Sequence, residues 1–219
     1  MSSTPKVLWF GTTKNAQHGG QVRLKHRELF LGSTVKNEAV DVVEQSRDAV
    51  KSVIAYLDGD LLNLVKNAFT SCFKTGDTGP SQDQLNAVKT KLVLIQNGIC
   101  GDVNLKTQNT SAKRAGVIFK AAMQQHGLTP QELQGALEGY VTSYSDRKGD
   151  IHVSRDYLLN NKYQAIRTFI HEASHRFADT VDESYKWQAN WNGKDTNALL
   201  NNADSYAYLV MYIFFGPEP

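Results

Sequence analysis

Two histidines and a glutamate near residue 170 are the residues of this sequence best placed to do chemistry. They stand in the segment His171-Glu172-Ala173-Ser174-His175, within a stretch whose apolar residues recur at helical spacing. His171 and His175 lie one turn apart on the same helix face, so both imidazoles can reach one metal ion. Glu172 can contact a water on that ion without coordinating the ion itself. The pattern predicts a Zn2+ site in which Glu172 takes a proton from a metal-activated water.

A catalytic zinc site needs a third protein ligand and one open position. The extension H-E-x-x-H-x-x-G-x-x-H is absent, because Ala178 and Val181 stand where its glycine and third histidine would be. The downstream carboxylates are Asp179, Asp182, Glu183 and Asp204. Asp182 lies on the segment that leaves the helix and is free to fold back, whereas Asp204 begins a later helix. On spacing alone, both stay open as the third ligand.

Two further motifs resemble those of the aspzincin metallopeptidases, a family that includes deuterolysins and lysine-specific metalloendopeptidases. After H-E-x-x-H, the family pattern continues with G-T-x-D-x-x-Y-G and then with N-A-D on a following helix. The matching positions here are Thr180, Asp182 and Tyr185 in the second motif, and Asn202, Ala203 and Asp204 in the third. The two glycines that flank the second motif are replaced by Asp179 and Lys186.

The resemblance implies a role for each matched residue. Asp182 is expected to be the third zinc ligand, and Tyr185 to donate a hydrogen bond to the oxyanion of the transition state. Asp204 is expected to bind substrate, because in lysine-specific relatives this Asp and a Glu three residues later form an acidic pocket. Ala207 stands where that Glu would be. We therefore expect no strict preference for lysine in this chain.

The elements around these motifs predict an α+β fold. Apolar residues at helical spacing predict helices over 38–56, 61–69, 81–98 and 199–215, in addition to the one that carries the histidines. Two short strands, 140–145 and 150–154, precede the metal-binding helix, which is expected to begin at Asn160 or Asn161. Together with the resemblance, this pattern predicts a zincin-like metallopeptidase fold, mostly helical with a small β-sheet.

A chain of 219 residues fits one domain and can bury a substantial core. Residues 1–36 carry six basic side chains against one acidic one, and we expect them to form a basic, solvated N-terminal segment. Residues 37–219 are then a single catalytic domain. Within it, 37–100 form a helical layer and 101–219 hold the sheet and the active-site helices.

Composition excludes several classes of partner. The net charge of +2 is too small to indicate a nucleic-acid-binding protein, and no apolar run approaches the roughly 18 residues of a membrane span. The start of the sequence lacks the apolar stretch of a signal peptide. We therefore expect no nucleic-acid or membrane partner, and either export without a recognisable signal peptide or a cytoplasmic location. Cys72 and Cys100 lack the spacing of a cysteine zinc site, and a disulfide or two free thiols are equally open.

These features predict a zinc-dependent endopeptidase that acts on a protein or peptide. One alternative is a zinc hydrolase that cleaves another amide, such as a cell-wall cross-link. A second alternative is a non-catalytic binding or toxin module that contains a metal. Whether an inhibitor protein exists stays open.

Overall fold

The structure is a computed structural model, and the residues it describes are 9–13, 19–25, 33–59, 63–108, 139–141 and 150–217. The strands within these ranges are β1 (Trp9–Thr13), β2 (Val22–Lys25), β3 (Val103–Gln108), β4 (Gly139–Val141) and β5 (Ile151–Ser154). The helices are α1 (Ser33–Leu57), α2 (Asn63–Phe73), α3 (Gln82–Cys100), α4 (Arg155–Asn160), α5 (Lys162–Ala178), α6 (Thr196–Leu199) and α7 (Ala203–Phe215). A short 3-10 helix covers Ala189–Gly193.

The five strands form one mixed sheet in the order β1-β2-β3-β5-β4. The three central strands are parallel, and the two outer strands run antiparallel to their neighbours. One face of the central strands is apolar and buried, and its residues are Val22, Leu24, Val103, Leu105, Ile151 and Val153. This face packs against helices, with α1 on β2, α3 on β3 and α5 on β5.

Helix α3 begins where the sequence predicts but ends later. Ser81 and Gln84 form a reciprocal capping box, in which each side chain accepts a hydrogen bond from the other residue's backbone N–H. The predicted end at Gly98 is passed, and the helix continues to Cys100. Gly98 packs against the ring of Phe177, because a Cβ at this position would lie 2.1 Å from Phe177 Cγ. This glycine lets α3 approach α5 closely and does not end the helix.

Helix α5, which carries the two histidines, lies at the centre of the molecule. It begins after Asn161, whose side chain accepts a hydrogen bond from the backbone N–H of Gln164, as the predicted start requires. Helices α1, α3 and α7 and strand β5 all pack on it. Its buried apolar residues include Ile166, Phe169, Ile170 and Ala173. The metal-binding motif is thus fixed on a rigid, buried element.

The N-terminal region differs from the solvated segment expected over residues 1–36. Strands β1 and β2 belong to the central sheet, and α1 begins at Ser33, before the expected domain boundary at residue 37. Basic residues alternate with buried apolar ones along β2, where Val22 and Leu24 face the core. Such alternation is typical of a strand with one buried face. The charge of Arg23 therefore lies on the exposed face of a core strand.

Other expectations are met with small shifts. Helix α2 extends beyond the expected 61–69 to Phe73, and the expected helix over 199–215 is split into α6 and α7. Of the expected strand 140–145, residues 142–145 lie outside the described residues. No disulfide joins Cys72 and Cys100. No helix in the described part of the chain is long and apolar enough to cross a membrane.

Candidate metal centre and active site

Three side chains meet at the C-terminal half of α5. Nε2 of His171 lies 3.1 Å from Nε2 of His175, and Oδ1 of Asp182 lies 3.1 Å from each of these nitrogens. Ligand atoms at roughly 2.0–2.1 Å from one tetrahedral ion are about 3.3–3.4 Å apart, which is close to this spacing. The three atoms could therefore hold one metal ion. Two imidazoles and a carboxylate are a ligand set of catalytic zinc sites.

The second nitrogen of each imidazole faces an acceptor of the protein. Nδ1 of His175 donates to the backbone carbonyl oxygen of Thr180 at 2.8 Å. Nδ1 of His171 lies 3.6 Å from Oδ1 of Asp204. These contacts direct both Nε2 atoms toward Asp182, as partners behind metal-binding histidines commonly do. Residues outside the group that could hold a metal thus orient the two imidazoles.

His171 and Asp182 each stabilise the ionised form of the other. Burial lowers the pKa of His171, but hydrogen bonds to Asp182 and Asp204 outweigh burial and hold this pKa well above its ordinary value. Burial raises the pKa of Asp182, yet hydrogen bonds from His171 and His175 outweigh burial and hold this pKa well below its ordinary value. Asp182 is therefore kept as a carboxylate, which is the form that binds a metal.

A tight turn after α5 brings Asp182 back to the histidines. Asp179 caps the helix in the left-handed conformation, with φ 52° and ψ 40°, a conformation that Asp tolerates better than most residues. Oγ of Ser174 lies 2.8 Å from Oγ1 of Thr180, and Ser174 Oγ also donates to the carbonyl oxygen of His171. The contact between Ser174 and Thr180 thus holds the turn against α5, the helix that carries the two histidines.

The Asn of the N-A-D motif holds the far side of the same loop. Oδ1 of Asn202 accepts hydrogen bonds from the backbone N–H groups of Glu183 and Ser184, at 3.0 and 3.3 Å. Its Nδ2 donates to the Ser184 carbonyl oxygen at 2.9 Å. A parallel bridge between Val181 and Asn202 adds two backbone hydrogen bonds. Asn202 therefore anchors the ligand loop to α7, a role that the resemblance in sequence did not assign.

The predicted general base and oxyanion donor lie close to the ligands. Glu172 is 5% exposed on α5. The Tyr185 ring stacks on the His171 ring, with centroids 5.7 Å apart and planes at 11°. Burial raises the pKa of the Tyr185 hydroxyl well above its ordinary value, and the carboxylates of Asp182 and Glu172 add to this rise. The hydroxyl therefore keeps its proton at neutral pH and can act as a donor.

Asp204 lies behind the ligands and contacts protein groups. It is 4% exposed in the first turn of α7, where the helix dipole favours a carboxylate. Its Oδ2 accepts the backbone N–H of Lys186 at 2.8 Å, while Oδ1 faces His171. Asp204 is thus not part of the group that could hold the metal. Its expected contact with substrate stays a prediction.

An exposed tryptophan extends the wall of the site. The Trp187 ring lies against the Tyr185 ring, with centroids 5.7 Å apart and planes at 21°, and Trp187 is 52% exposed. The sequence motifs assigned no role to this residue. Only its position, two residues after Tyr185, indicated that it could lie near the site.

Comparison with solved structures finds a protein of similar fold, a zinc peptidase from Grifola frondosa. The TM-score is 0.57 and the sequence identity 15%, over 83% of this chain and 97% of that chain. No family model matches the sequence, and no curated protein matches it either. The likeness confirms the expected α+β fold, mostly helical with a small sheet, and it agrees with the resemblance to aspzincins seen in the motifs.

Proposed function

We propose that this chain is a zinc-dependent endopeptidase that hydrolyses peptide bonds in a protein or peptide substrate. The observation that carries the proposal is the triangle of His171 Nε2, His175 Nε2 and Asp182 Oδ1, with sides of 3.1 Å. A buried Glu172 follows the first of these residues on the same helix. The fold shared with a zinc peptidase supports the same function.

The zinc ion, when bound, supplies a water of lowered pKa and polarises the scissile carbonyl. Glu172 accepts a proton from the attacking water and later delivers it to the leaving amine. Its burial keeps this proton transfer away from bulk solvent. Tyr185 donates a hydrogen bond from its hydroxyl to the substrate carbonyl oxygen as that oxygen becomes an oxyanion. The raised pKa of Tyr185 ensures that this hydrogen is present at neutral pH.

We assign Asp204 to the positioning of His171. Its Oδ1 faces Nδ1 of that ring, and its Oδ2 is held by the backbone N–H of Lys186. A carboxylate behind a metal-binding histidine fixes the tautomer and raises the basicity of the other nitrogen. Thr180 does the same for His175 through its carbonyl oxygen.

The function is tested by cleavage of unfolded casein, with and without a zinc chelator, by the parent and by Glu172→Gln. We expect the parent to cleave and the chelator to stop cleavage. Glu172→Gln should retain about one zinc per chain and lose activity by several orders of magnitude, because the amide cannot take the proton. Equal cleavage by Glu172→Gln and the parent would show that this residue is not the base.

A further inference from the structure

A cavity of about 150 Å³ lies beside the metal centre, between α2, α5, α7 and the loop that follows Tyr185. Its lining residues are Ser71, Tyr163, Lys186, Tyr208, Tyr212 and Pro217. This volume is far above the roughly 10–15 Å³ that one water needs. The lining combines one lysine with the rings and hydroxyls of three tyrosines, so it offers a positive charge, hydrogen-bond donors and apolar walls.

The cavity is adjacent to the ligands because α5 and α7 lie side by side. His171 on α5 faces Asp204 on α7. One turn away on each helix, Arg167 donates to the hydroxyl of Tyr208 at 2.6 Å. Of the residues that line the cavity, Tyr208 lies one turn from Asp204, whereas Tyr163 lies two turns from His171 and Tyr212 two turns from Asp204. One helical turn rises about 5.4 Å, so the cavity lies roughly 5–11 Å along the helices from His171 and Asp204. Lys186, whose backbone N–H binds Asp204, leads from the ligand loop into the cavity.

Lys186 brings a positive charge to the wall of the cavity. The Lys186 ammonium donates to Oγ of Ser71 at 3.0 Å and lies 4.6 Å from the centre of the Tyr208 ring. The Arg167 guanidinium lies 4.9 Å from the centre of the same ring. Within the described residues, no carboxylate forms an ion pair with the Lys186 ammonium. The nearby Asp204 directs its oxygens at a backbone N–H and at His171.

We infer that this cavity binds an acidic side chain of the substrate, Glu or Asp, next to the scissile bond, and that Lys186 determines this specificity. The inference rests on the proposed peptidase function. An ammonium group has three donors, and a carboxylate in the cavity would accept those that Ser71 leaves. The tyrosine rings would cover the methylene groups of a Glu side chain. A lysine side chain would instead meet a charge of the same sign.

The first test compares peptides that differ only in one residue beside the cut, which is Glu, Gln or Lys. The parent should cleave the Glu peptide with a kcat/KM about tenfold or more above that of the Gln peptide, the range expected for one charge-assisted hydrogen bond. Lys186→Met should bring this ratio close to one, and Lys186→Glu should favour the Lys peptide. Lys89→Met removes the same charge from a surface pair with Asp58 and should leave the ratio unchanged.

The second test measures binding and does not depend on turnover. The zinc-loaded Glu172→Gln protein is titrated with the same three peptides in a calorimeter, and the Glu peptide should bind about tenfold more tightly than the Gln peptide. Cleavage of casein by the parent, together with equal binding of the three peptides, would overturn the specificity and leave the peptidase function standing. Tighter binding of the Glu peptide, without cleavage of any substrate, would overturn the peptidase function and support the cavity's preference.

Discussion

At the scale of single residues, the groups that could hold a metal are distinct from those that orient them. His171, His175 and Asp182 supply the three donor atoms. Asp204 and the carbonyl oxygen of Thr180 lie behind the two rings. Both acidic residues stood open as ligands on sequence spacing, and the structure distinguishes them by position. A ligand and a positioning residue should respond differently to the same isosteric change.

Asp182→Asn should abolish zinc binding at micromolar protein, because a neutral amide replaces the only charged ligand. Asp204→Asn should keep the metal, with affinity lowered about 10–100-fold, the usual effect of changing a partner behind a ligand. Competition with a chromophoric chelator measures both affinities. Near-ultraviolet circular dichroism shows whether each variant is folded. A folded Asp204→Asn that holds no zinc, beside an Asp182→Asn that does, would reverse the two assignments.

Tyr185→Phe tests the oxyanion donor. The change removes one hydroxyl and leaves a ring that can still stack on His171. We expect kcat to fall about 10²–10³-fold, as when one oxyanion donor is lost, and KM to change little because the bond forms in the transition state. Steady-state kinetics on one peptide measures both constants. A rise in KM at constant kcat would show that Tyr185 only binds substrate.

At the scale of elements, the sequence predicts the helix that carries the ligands but not the turn that completes the site. Apolar spacing and an Asn cap locate α5, because both signals are local. The return of Asp182 depends on the left-handed Asp179 and on the hydrogen bonds that the loop donates to Asn202, twenty residues away. The spacing of residues along the chain predicts neither the conformation of Asp179 nor the hydrogen bonds of Asn202. The family resemblance supplied Asp182, and spacing alone could not.

Helix α3 packs closely on α5, the helix that carries the two histidines. Gly98→Ala should destabilise the protein by about 1–3 kcal/mol, since the new methyl would overlap the Phe177 ring. The gain in helix propensity, about 1 kcal/mol, is smaller. Urea unfolding measures the change. Gly59→Ala is the control, because its nearest contact lies at an ordinary 3.7 Å. A double-mutant cycle of Gly98→Ala and Phe177→Ala tests whether the ring contact is the cause. If the two changes in unfolding free energy are additive, the contact between the new methyl and the ring does not cause the loss of stability.

At the scale of the whole molecule, one buried arginine joins the helical layer to the sheet. Arg47 on α1 is 1% exposed. Its guanidinium donates to the carbonyl oxygens of Ile99, Gly20 and Gly101, at 2.6, 3.0 and 3.1 Å, and pairs with Glu44. The end of α3 and the entry to β2 are thereby tied to α1. The charge of the N-terminal region predicted a solvated segment, because the composition of a segment contains no information on contacts between distant residues, such as that of Arg47 with Gly20.

Arg47→Met should therefore cost about 3–5 kcal/mol of unfolding free energy, because the half-buried Glu44 and three carbonyl oxygens lose their donor. Arg23→Met, which removes an exposed pair with Asp102, should cost about 0–1 kcal/mol. Thermal and urea unfolding, each at the same pH, provide the comparison. Equal losses for the two variants would contradict a central role for Arg47.

The stack of His171, Tyr185 and Trp187 gives the molecule an optical reporter of its own. One end of the stack is a metal ligand inside the protein, and the other is an indole that is half-exposed to solvent. Indole emission depends on its surroundings and on neighbouring rings. Loading of the metal site therefore acts on the fluorescence of a natural side chain, so it can be followed without a label attached to the protein.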